Sequence, residues 1–186
     1  MTRLRTCLTY RARLGFTLIE ILVTIALVSI LMSLAVPSMN AVRINSAVSE
    51  TASDLSLAIQ QAQLQALKVN RQVVVAPNSS SDWTSGWKVF IRQDSNSVYD
   101  DGVDTLIGRR DDFSSLVSVA STSNCANVTI SSSGFLQLPG GGGFGDCRVV
   151  FGSSVTGRYK HVIVNQIGRS RVCTSSSSAI SSCADS

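Results

Sequence analysis

The sequence predicts an α+β protein: one long N-terminal helix whose second half packs on a C-terminal domain of antiparallel strands, in one sheet or a two-sheet sandwich. Three observations predict it. Positions 16–36 form an apolar run whose single charge is Glu20. Beyond Pro37, the apolar residues Ile44, Val48, Ala52, Leu55, Ile59, Ala62, Ala66 and Val69 recur at steps of three or four, the spacing of one helical face. After Asn70 that period gives way to short β-branched and aromatic runs separated by Gly, Asn, Asp and Ser, the pattern of strands joined by turns.

The helix begins behind a basic segment. Arg3, Arg5, Arg11 and Arg13 precede Gly15 with no acidic residue among them, which keeps that end cytoplasmic under the positive-inside rule. Positions 16–36 rise about 31 Å as a helix, enough to cross a hydrocarbon core of about 30 Å. A conventional secretory signal fits less well. The apolar run is long for one, no clear small-x-small cleavage site precedes a polar start, and Glu20 interrupts it. A carboxylate at the start of a membrane segment costs about 3 kcal/mol and needs a partner. A cut between Gly15 and Phe16 would make Glu20 the fifth residue and create a free α-amine, and a neighbouring subunit's amine would supply that partner.

The run Gly15-Phe16-Thr17-Leu18-Ile19-Glu20, followed by the apolar stretch and Pro37, resembles the class III signal of type IV pilins and pseudopilins. The resemblance implies cleavage after Gly15 by a prepilin peptidase and methylation of the Phe16 amine. It further implies the type IV pilin fold and assembly with major and minor pilins into a filament cored by these helices. Four segments result: a removed leader at 1–15, a transmembrane and filament-core helix at 16–36, its amphipathic continuation at 37–70, and a β-rich domain at 71–186. The protein would sit in the bacterial inner membrane as a single-pass protein with a periplasmic domain, and then in a pilus at the cell surface.

Strands are expected at 72–76, 87–92, 105–108, 117–120, 127–131, 134–138, 148–151, 160–165 and 169–173, with a turn cluster at 77–86. No βαβ repeat is visible, which argues against a nucleotide-binding parallel sheet. Glycines 140–143 lack the Lys-Ser/Thr and the helix of a phosphate-binding loop, and read as a turn. Asp94, Asn96, Asp100, Asp101 and Asp104 crowd one hairpin. Their spacing departs from that of an EF-hand and no closing Glu follows, so a solvated acidic hairpin is the better reading. The Trp87–Ile91 strand with this hairpin resembles the GspH/FimT group of minor pilins and pseudopilins.

Of five cysteines, Cys7 falls in the leader; Cys125, Cys147, Cys173 and Cys183 remain. An even number in an exported domain suggests two disulfides. Three pairings are possible. Cys125–Cys147 and Cys173–Cys183 are favoured because each closes a local loop, the second stapling a Ser-rich tail. Zinc is disfavoured, since there is no CxxC pair and His161 is the only histidine. No metal and no cofactor is called for. Nor is any catalytic residue: no nucleophile–base or paired-carboxylate pattern is present.

The formal charge of +4 is that of the leader, since without its four arginines twelve basic residues face twelve acidic ones. The distribution is what informs. Positions 82–112 hold seven acids and four bases, whereas 147–173 hold Arg148, Arg158, Lys160, Arg169 and Arg171 and no acid. On a strand, Arg169 and Arg171 share a face, and two guanidinium forks suit phosphate oxygens. Gly168 lets the backbone turn or approach a ligand, and Lys160 and Arg158 extend the patch from an adjacent strand or turn. Internal pairing with acids of the 100–112 loop is the competing reading. Gly168-Arg169-Ser170-Arg171 ahead of Cys173 resembles the DNA-binding Gly-Arg-x-Arg motif of FimT-type minor pilins. That resemblance implies non-specific binding of double-stranded extracellular DNA for natural transformation. The alternative is a priming minor pilin or type II secretion pseudopilin that binds no DNA.

Overall fold

The computed structural model describes residues 15–79, 82–96, 98–111, 115–123, 125–137, 146–153, 155–179 and 183. Leader positions 1–14, with Cys7 and the four leader arginines, lie outside the described residues, as do Ser80, Asp112 and glycines 140–143.

Helix α1 (Leu18–Val69) includes Pro37 within its range. Thr17 caps it: its hydroxyl accepts a hydrogen bond from Glu20 N (3.3 Å) and its carbonyl one from Ile21 N, satisfying donors that a helix start leaves unpaired. Asn70 ends it with φ 52°, the left-handed conformation that Asn tolerates better than most residues. The chain divides into two compact units, with the break between Met39 and Asn40. In the first, the helix exposes large apolar residues from Leu18 to Met32. Among the described residues no helix is long and apolar enough to cross a membrane; the described side chains of the apolar run stop at Ser33, short of position 36.

In the second unit the stripe read from the sequence is the buried face of α1. Ile44, Val48, Ala52, Leu55, Ile59, Ala62 and Ala66 are buried, while Val69 is half-buried. Each large aliphatic side chain buried there contributes about 1.5–3 kcal/mol.

Nine strands follow among the described residues: β1 (Val73–Ser79), β2 (Asp82–Ile91), β3 (Thr105–Arg110), β4 (Ser118–Ser123), β5 (Val128–Ile130), β6 (Leu136–Gln137), β7 (Cys147–Ser153), β8 (Arg158–Val164) and β9 (Ser170–Ser175). They form two antiparallel sheets, ordered β3-β2-β1-β5-β6 and β4-β7-β8-β9. Both sheets feed one core with α1: Val73, Val75, Trp87, Val89, Val128 and Ile130 from the first, and Val149, Phe151, Val162 and Val164 from the second. Every expected strand is present. The expected turn at 77–86 is shorter than the sequence suggested, because β1 and β2 stay paired out to Ser79 and Asp82. A register irregularity after Pro77 and a positive φ at Gly86 absorb the residues that otherwise break strands.

The outer face of the first sheet is covered by the β2–β3 hairpin. Tyr99 packs edge-on to Phe90 at 5.4 Å and lies under the Lys88 ammonium, which explains why β1 is buried on both faces. The carboxylates of Asp94, Asp100 and Asp104 are committed inside the hairpin. Asp104 accepts from Gln93 N (2.9 Å) and Asp100 N (3.0 Å), and the Asn96 amide donates to Asp94 and Asp100. That is the arrangement of a self-organised acidic hairpin.

Candidate functional site

The basic segment folds as the β8–β9 hairpin, and its turn is fixed from three sides. Asn165 N donates to Arg169 O (3.0 Å), Gly168 N donates to Asn165 O (2.9 Å), and the Asn165 side chain accepts from Arg169 N (3.0 Å). Gly168 is buried and has φ +77°, and a side chain there would run into the Gly134 carbonyl and the Gln63 amide. From α1, Gln63 Nε2 donates to Ile167 O (2.9 Å) and Gly134 O (3.1 Å). Ser170, also buried, donates to the Ser56 carbonyl (3.1 Å), its hydroxyl 2.8 Å from that of Ser56. Both neighbours of Arg169 are therefore docked on the helix, and the exposed Arg169 projects from a backbone held in place. The close approach made by Gly168 is to the Gly134 carbonyl and to Gln63 of α1.

Arg169 lies in the turn, since β9 starts at Ser170, so strand alternation does not govern it. Arg171 is on the strand and half-buried. It stands opposite Ile163, which in turn stands opposite Arg148, so Arg148, Ile163 and Arg171 form one cross-strand row. Arg148 is held by Asp146 at 3.6 Å and its side chain is only 17% exposed.

Lys160 and Arg158 do not extend the Arg171 surface as expected. They alternate with Tyr159, His161 and Ile163 along β8 and so share the face of Val162 and Val164, opposite to that of Arg171. Lys160 Nζ donates to Thr174 Oγ1 (2.6 Å) on that face.

Cys125 is joined to Cys147 and Cys173 to Cys183, the local pairing favoured from the sequence. The tail returns over the Arg171 face, where His161 Nε2 donates to the Ser177 carbonyl (3.0 Å).

Among the described residues, Asp54, Glu50 and Asp111 pair with arginines of β3. Arg109 pairs with Asp111 (2.6 Å), and Arg110 pairs with Asp54 and with Glu50 (3.8 Å) on α1 while lying over the Trp87 ring. Among the described residues Arg169 forms no ion pair. Sequence reading missed the Arg110–α1 link, the buried Trp83 whose indole donates to Cys125 O (2.7 Å), and the Gln63 clamp. Each joins residues some 40 or more positions apart, and no local pattern signals such contacts.

At the other end, Gly15, Phe16 and Thr17 precede the helix, and Phe16 is 79% exposed. The Gly15–Phe16 bond thus lies in non-helical chain.

The chain matches the family described as Type II transport protein GspH over residues 51–168, and the prokaryotic N-terminal methylation motif over residues 10–36. Among curated proteins none is similar in sequence. Two crystal structures of the type IV minor pilin FimU from Pseudomonas aeruginosa (strain PAO1) share the fold. One, in space group P21, has a TM-score of 0.54 at 18% identity, covering 75% of this chain and 97% of that one. The other, in P65, has a TM-score of 0.52 at 19% identity, covering 73% and 99%. With its methylation motif, helix-plus-antiparallel-sheet fold and match over most of its length, the chain belongs to the GspH family, as a structural, non-enzymatic pilin-like protein.

Proposed function

We propose that this pilin, like FimT-type minor pilins, binds extracellular double-stranded DNA for uptake in natural transformation. The observation that carries the reading is Arg169: exposed, without an ion pair among the described residues, and set on a turn anchored at Gly168 and Ser170. Arg171 follows two residues on. Two guanidinium groups engage backbone phosphates without reading bases. Binding is then weak per subunit, strengthened where several subunits engage one DNA.

The N-terminal chemistry fits the same life cycle. Prepilin peptidase cuts after Gly15, the Phe16 amine is methylated, and Glu20 pairs with a neighbouring subunit's amine during assembly. Before that, positions 16–36 hold the precursor in the inner membrane with the domain from 71 onward in the periplasm. After assembly the same helix, continued by 37–70, joins the filament.

The test is fluorescence anisotropy of the unit from Asn40 onward with duplex DNA. Two phosphate contacts predict affinity falling about tenfold between about 50 and 200 mM salt. Arg169→Ala plus Arg171→Ala should abolish most binding, and unchanged binding in that variant would remove the proposed site. The GspH family match favours a second reading, a priming subunit or type II secretion pseudopilin without DNA contact. Absence of binding even at low salt selects that reading.

A further inference from the structure

The second unit exposes an apolar patch that its own core does not use. Leu64 and Leu67 on α1, Phe135 before β6 and Ile167 in the β8–β9 turn are 68%, 52%, 43% and 56% exposed. Their backbones are tied together. Gln63 bonds the carbonyls of Gly134 and Ile167, a side chain on Gly134 would meet Leu67, and Leu136 N donates to Gln166 O (2.9 Å). Lys68, exposed and without an ion pair among the described residues, rims the patch. Clustered exposed apolar side chains with a polar rim mark a protein-binding surface more often than an inert one.

The same chain carries the complement. The tip of the acidic β2–β3 hairpin exposes Val98 and Val103, at 68% and 53%, around the exposed Asp101, whose Oδ1 accepts from the Tyr99 hydroxyl (3.2 Å), leaving Oδ2 for a partner's cation. This tip is preorganised. Asp104 and Asn96 hold the loop from inside, Tyr99 seats it on Phe90, and the Arg71 guanidinium bonds Gln93 at its base. An apolar knob with an anion matches an apolar patch with a cation, and a loop tied by its own hydrogen bonds loses less entropy on docking than an untied one.

We propose that the hairpin tip of one copy docks on the Leu64–Leu67–Phe135–Ile167 patch of a second copy, with Asp101 set against Lys68. Tip and patch are different surfaces, so the contact either repeats head to tail or closes when two copies exchange both at once. Neighbours in a membrane or filament face each other at effective concentrations on the order of 1 mM, where weak contacts of this kind are populated.

The experiment is sedimentation equilibrium on the unit Asn40–Ser186, which holds its own core and both disulfides. Self-association is expected below about 1 mM, with Ile167→Asp and Val103→Asp each weakening it at least about tenfold. Lys68→Glu and Asp101→Lys should each weaken it about threefold alone, and their equimolar mixture should recover association. These two surface changes leave the core untouched, so they decide the matter if an apolar variant misfolds. A monomer throughout the range, or a charge-swapped mixture no stronger than its components, overturns the proposal.

Discussion

At the residue scale, Gly168 illustrates how one position can be read for its flexibility while the contact that needs it stays hidden. Its φ of +77° disfavours any side chain, and the Gly134 carbonyl and Gln63 amide leave no room for one. Gly157, in the turn before β8, shares a positive φ of 60° but faces open space. Gly157→Ala should cost about 1 kcal/mol of backbone strain, and Gly168→Ala at least about 2 kcal/mol, because packing adds to strain. Urea unfolding of both variants checks this, and equal losses would show that packing against Gly134 and Gln63 contributes nothing. The same scale separates Arg169 from Lys160. Both were legible as cations in an acid-free stretch, but only the strand register put Lys160 on the opposite face from Arg171.

At the scale of elements, α1 was legible almost in full. Its stripe was visible because burial along a helix follows the 3.6-residue period, and Ile44 to Ala66 are buried where that period placed them. Leu55 and Leu57 make the prediction sharp, being two positions apart with Leu55 fully buried and Leu57 53% exposed. Leu55→Ala should destabilise the unit by about 2–5 kcal/mol, whereas Leu57→Ala should stay within about 0.5 kcal/mol. Thermal or denaturant melts distinguish them, and similar losses would contradict the assigned face. β2 was harder. Gly86 and the Ser-rich approach to it read as a turn, yet Trp83 continues the strand because its ring fills the core and its indole reaches Cys125 O.

At the scale of the whole unit, the two disulfides act on different things. Cys125 and Cys147 are buried in the common core and close a separation of 22 residues, which predicts a loss of about 3 kcal/mol in global stability for the double Ser variant. Cys173–Cys183 fastens the tail over the His161 face. Removing it should raise hydrogen exchange at 175–179 while leaving exchange of the β7–β8 core nearly unchanged. A loss of core protection in the second variant would show that the tail carries load beyond its own segment.

The sequence by itself determined the family motif at Gly15–Glu20, the long helix with its buried stripe and the strand pattern, and it favoured the local disulfide pairing among three that it allowed. These rest on short-range signals: periodicity, turn chemistry and loop closure. The choice among disulfide pairings, the division into two sheets, the separation of Lys160 and Arg158 from Arg171, the anchoring of Arg169 through Gly168 and Ser170, and the tying of Gly134 and Ile167 to Gln63 were decided only by the tertiary structure. Strand order and register bring together residues tens of positions apart, and local pattern carries no information about which strands become neighbours.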